Sequence, residues 1–99
     1  MNVPAILEAL EDCPGLIANK LTDGRGYYCA FGWLMFKAGI PVKNSSPWIE
    51  KVKLMDRFGF KGLSAELIPL IDFNNRPYRS RKARLEAVRA FVAAQGLEE

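Results

Sequence analysis

"YYCAFGWLMFKAG", residues 27–39, is the stretch on which the reading of this chain turns. Ten residues, Tyr27 to Phe36, pass without a charge, and Cys29 sits among aromatic side chains. Four readings compete: a catalytic cysteine at a helix start, a membrane segment, an adhesive surface, or the middle of a core. A membrane span needs about 18 apolar residues or more, so the run is too short. Gly39 and then Pro41 are the usual stop signals, which predicts a helix from Tyr28 to about Ala38. Phe31, Leu34 and Met35 line one side, while Tyr28 and Trp33 lie elsewhere around the axis. A helix that is apolar all round is usually central and buried. The expected core therefore includes Cys29, Phe31, Leu34 and Met35. Gly32 costs about 1 kcal/mol relative to Ala inside a helix, which points to close approach by another backbone.

Working outward, Asn2 caps a first helix with Pro4 in its opening turn, and Pro14-Gly15 ends it. "LIANKLTDGRGYY", residues 16–28, reads as two short strands around Asp23-Gly24, because Asp-Gly suits a type I′ hairpin turn. On the other side, Ser46-Pro47 opens a third helix that runs to Gly59. Its inner face is Trp48, Val52 and Met55, with Ile49 and Phe58 further round. Ser64 caps a fourth segment in which Pro69 predicts a short or bent helix. Residues 74–77, NNRP, are a turn by composition. Ser80 caps a last helix over 81–95 with Gly96 beyond it. Leu85, Val88, Phe91 and Val92 form its core stripe, and Leu97 would reach back to Val92. The whole predicts a single domain, residues 1–99. It is mostly α, a compact bundle of about five short helices with one small β-hairpin packed on it.

Composition narrows function mainly by exclusion. The chain is 49% hydrophobic and 25% charged, ordinary for a soluble domain. The opening MNVPAILEALEDC lacks the basic start of a secretory signal, which predicts a cytoplasmic protein. There is no histidine, so Cys–His and Ser–His–Asp nucleophile systems are impossible within the chain. Two cysteines, Cys13 and Cys29, cannot make a zinc site alone. In a cytoplasmic setting they are expected as buried thiols, although a pairing between them is conceivable. No cofactor or metal is expected. If Cys29 were a nucleophile at a helix start, its base would have to be Asp, Glu or Lys, and burial would raise its pKa.

Charge is unevenly spread. Residues 43–99 hold eleven basic and seven acidic side chains, and residues 1–42 hold three basic and four acidic. Arg76, Arg79, Arg81, Lys82, Arg84 and Arg89 gather around the start of the last helix against the single acid Glu86, with Tyr78 among them. That segment is the candidate surface for an anionic partner, weighed against an ordinary solvated helix face. Along the same helix, Ala83, Ala87, Ala90 and Ala94 recur at 4-3-4 spacing. They are either helix formers in solvent or a seam that admits a second copy of the chain.

Two places, DGRGYYCAFGWL with Ala38-Gly39 and IDFNNRPYRS with the helix that follows, resemble a family of small bacterial and phage-borne proteins of unknown function. That family shows a Cys-Ala-Leu-Gly-Ala helix and a later Asn-Asp turn before a capped final helix. In this chain Phe31 and Trp33 replace smaller residues, and Asn75 stands where the family tends to have Asp. The resemblance implies a compact helical domain and an origin on a phage or mobile element, and it carries no catalytic residues with it. The functional expectation is a non-enzymatic interaction protein that binds and modulates or inhibits a host protein complex. The alternative is a nucleic-acid-binding protein that uses residues 76–89.

Overall fold

The computed structural model describes residues 1–44, 53–54 and 56–96. Asn2 opens α1 (Val3–Leu10): its side-chain oxygen accepts the Ala5 amide at 3.2 Å, and Pro4 falls where a helix has no use for an N–H. Val3, Ile6 and Leu10 are the buried stripe.

The central stretch becomes α2 (Ala30–Lys37), with Ala30 through Met35 buried. It starts two residues later than the periodicity predicts. The chain is still extended at Tyr28 and Cys29, where the Cys29 amide donates to the Leu21 carbonyl. Cys29 is the cap: its sulfur accepts the Gly32 amide at 3.3 Å. The glycine is required by sterics. A Cβ at position 32 would stand 2.1 Å from the Leu21 carbonyl oxygen. Phe36, at the end of the apolar run, is 50% exposed.

The hairpin expected around Asp23-Gly24 does not form. Residues 16–28 hold isolated bridges, Leu16 with Tyr28 (parallel) and Thr22 with Tyr28 (antiparallel), and no strand. The physical reason is the Asp23 carboxylate. It accepts the Arg25 amide at 2.7 Å and the Tyr27 amide at 3.1 Å, closing an Asx-type loop in place of a two-residue turn. Gly24 and Gly26 both take positive φ to allow it. Asn44 then anchors the loop, accepting the Leu21 and Thr22 amides and donating to the Thr22 carbonyl.

A π-helical turn, Leu63–Leu67, leads into α3 (Ile68–Asn74). The Leu67 amide reaches back five residues to the Gly62 carbonyl. This widened register leaves Pro69 in the first turn of α3, where its missing N–H costs little. The longest of the described helices, α4 (Arg81–Gly96), is capped by Ser80, whose hydroxyl accepts the Ala83 amide at 3.0 Å. Leu85, Val88 and Val92 are buried as the stripe predicts, and Phe91 stacks on Phe73 with centroids 4.6 Å apart.

Four helices therefore make up the described bundle: α1 and α3 pack on α4, and α2 packs on α1 and α3. Most of the predicted third helix lies outside the described residues, with Trp48, Ile49, Val52 and Met55. Positions 53, 54, 56 and 57 are helical, and Leu54 and Phe58 are buried. Leu97 also lies outside. Among the described residues no helix is long and apolar enough to cross a membrane.

Candidate interaction surface

The predicted basic segment begins at the end of α3, and the first residue to explain there is Asn74. Among the described residues it is the buried polar side chain of the core, 1% exposed. Its oxygen accepts the amide of Ala30, the first residue of α2, at 3.0 Å. Its amino group donates to the Ile17 carbonyl at 3.0 Å and to the Asn75 side chain at 3.1 Å. One asparagine thus ties the start of α2, the irregular loop and the end of α3 together. An amide at a helix start has no intrahelical partner, so Asn74 supplies what the backbone cannot.

The carbonyls at the end of α3 need donors too. Arg84 provides two: Nε donates to the Asn74 carbonyl at 2.7 Å and Nη2 to the Arg76 carbonyl at 2.9 Å. The Tyr78 hydroxyl donates to the Phe73 carbonyl at 2.9 Å, and the Arg84 guanidinium lies over the Tyr78 ring. Arg84 and Tyr78 are therefore half-buried braces of the turn, fully engaged in holding it.

The remaining predicted residues face solvent. Arg76 is exposed and rests over the Phe73 ring at 5.0 Å. Arg81 is exposed and stacks over Tyr27 at 4.2 Å; its carbonyl accepts the Leu16 amide, seating the first turn of α4 on the preceding loop. Arg79, Lys82 and Arg89 are exposed, and among the described residues none of them has a carboxylate partner. The first turn of α4 carries no acid. Cationic side chains at a helix N-terminus oppose the helix dipole, so the positive potential is concentrated there and not neutralised. Glu86 is exposed on the same face, four residues after Lys82 and three before Arg89. The alanine stripe divides: Ala83 and Ala87 are half-buried, and Ala90 and Ala94 are exposed.

Beside this surface, Lys20, Leu21, Asn44 and Asn75 border a cleft of about 370 Å³ that reaches down to Phe31 and Cys29. Sequence reasoning missed it, because its walls come from four separate segments. Cys13 and Cys29 are both buried thiols with no disulfide between them, and burial pushes the Cys13 thiol up from its ordinary pKa. The Arg25 amide above all, then the Tyr27 amide and the field of Arg81, holds the Asp23 carboxyl below its ordinary range. Comparisons with protein families, curated proteins and solved structures give no match to this chain.

Proposed function

We propose that this chain is a non-enzymatic interaction protein, of the kind carried by phages and mobile elements. It binds a host protein complex and modulates it, working in the cytoplasm through the exposed face of α4 and the turn before it. The observation that carries this reading is the set Arg79, Lys82 and Arg89, all in solvent and without a carboxylate partner among the described residues. Arg79 and Lys82 stand at the start of α4, where cations oppose the helix dipole, and Arg89 carries the positive charge on to the middle of the helix, a face that favours an anionic surface opposite. Arginine is also a residue on which interface energy concentrates. Ala90 and Ala94, also exposed, lie about a quarter-turn further round α4 as small side chains that let a partner approach, including a second copy of the chain.

Nucleic acid is the second reading, and the six basic residues between 76 and 89 favour it. One observation weighs on the other side: Arg84 is occupied by carbonyls of the turn. The test is capture from a nuclease-treated bacterial lysate, followed by mass spectrometry. A polypeptide retained at stoichiometric level supports the reading. Capture that vanishes with nuclease, together with tight binding of generic duplex at low salt, overturns it in favour of nucleic acid.

A further inference from the structure

The cleft beside the surface has a chemical bias that the docking reading does not use. Asn44 and Asn75 border it, and the orientation of each carboxamide is forced by backbone donors. The Asn44 oxygen accepts the Leu21 and Thr22 amides. The Asn75 oxygen accepts the Asn19 amide at 2.9 Å and a proton from Asn74. Both oxygens are therefore taken, and what these side chains have left are N–H groups. Among the described residues Asn44 gives one amino proton to the Thr22 carbonyl and leaves the second without an acceptor, and the Asn75 amino group leaves both. Lys20, exposed at the rim, adds an ammonium. Among the described residues lining the cleft none is acidic, and the deeper wall is Phe31, Ile71 and Leu21. A volume of about 370 Å³ lies within the range of small-molecule sites.

We infer that this cleft binds a small free organic acid, its carboxylate held by the Asn44 and Asn75 amino groups and Lys20, and its apolar body laid against Phe31 and Ile71. Side-chain amino groups and an ammonium, with no acid among the described lining residues, favour an anion, and the apolar wall favours one with an organic body. The described lining of the cleft shares no residue with the α4 face, so either can fail without the other.

The test uses three probes with one body: 3-phenylpropanoate, its neutral amide, and 3-phenylpropylamine. Each is titrated into the isotope-labelled protein while the side-chain amide signals of Asn44 and Asn75 are followed. The acid is expected to shift these signals saturably, the amide to bind more weakly, and the amine to leave them in place. Asn75→Asp keeps the oxygen that the Asn19 amide and Asn74 require but faces the ligand with a like charge. It should weaken the acid by about tenfold or more, read at Asn44. Lys20→Gln, at an exposed position, should weaken it severalfold with no change in melting. Equal response to acid and amine, no response to the acid, or undiminished binding in both variants would overturn the inference.

Discussion

Replacing Asn74 by Ala should unfasten three segments at once. The Ala30 amide loses its acceptor, and Ala30 is 1% exposed, so no water replaces it. An orphaned buried amide costs about 1–3 kcal/mol. The Ile17 carbonyl also loses its donor, but Ile17 is half-buried and solvent can partly substitute, so this adds about 1 kcal/mol. The vacated volume adds a smaller cavity cost. The sum, about 2–5 kcal/mol, is a large share of the roughly 5–15 kcal/mol that holds a domain folded. For a chain of this size a loss of about 3 kcal/mol lowers the melting temperature by about 12–24 °C. Urea unfolding followed by tryptophan fluorescence measures it, since Trp33 is buried against α1 with its indole N–H on the Ala9 carbonyl. Asn74→Asp keeps an acceptor for Ala30 but turns a carboxylate toward the Ile17 carbonyl, and should be at least as damaging at neutral pH. A loss below about 1 kcal/mol for Asn74→Ala would refute the view that this side chain organises the fold.

Other perturbations separate packing from surface. Gly32→Ala gains about 1 kcal/mol of helix propensity but drives Cβ into the Leu21 carbonyl, so a net loss of about 2 kcal/mol or more is expected in the same unfolding assay. Arg84→Ala frees two carbonyls at the end of α3 and should cost about 1–3 kcal/mol, whereas Lys82→Ala should stay within about 0.5 kcal/mol. Burial pushes the Glu66 carboxyl up, yet the Met1 ammonium at 2.6 Å and the Lys61 amide outweigh it, and the net shift is downward. A lowered carboxyl stabilises the fold above its unfolded value, near pH 4.5, and that contribution fades as pH falls through the folded value. Glu66→Gln should therefore be less stable at neutral pH, with a shallower loss on acidification in pH-dependent melting.

Much of the helical frame was legible because its signals are local. Asn2 and Ser80 cap as their positions suggest, since a cap needs only its own side chain and an amide three residues on. Gly32 announced a close backbone approach because a glycine in a buried helix has few other reasons to be there. The loop before α2 was misread for a physical reason. Asp-Gly suits a tight turn, but the Asp23 carboxylate binds two amides downstream of it and makes a wider loop. The Asn74 hub was not legible, because its partners at positions 17, 30 and 84 are distant in the chain. Within the basic segment, composition found the cluster but could not divide it into Arg84 and Tyr78, which brace the turn, and Arg79, Lys82 and Arg89, which face solvent.

That division is the centre of the account, and one comparison tests it most directly. The variant Arg79→Ala, Lys82→Ala, Arg89→Ala removes only exposed side chains without a carboxylate partner among the described residues, so its melting temperature should stay within about 5 °C of the parent's. Immobilised beside the parent in nuclease-treated lysate, it should capture the partner polypeptide about tenfold less, or not at all. Equal capture by a variant that melts like the parent would contradict the assignment of this face as the working surface.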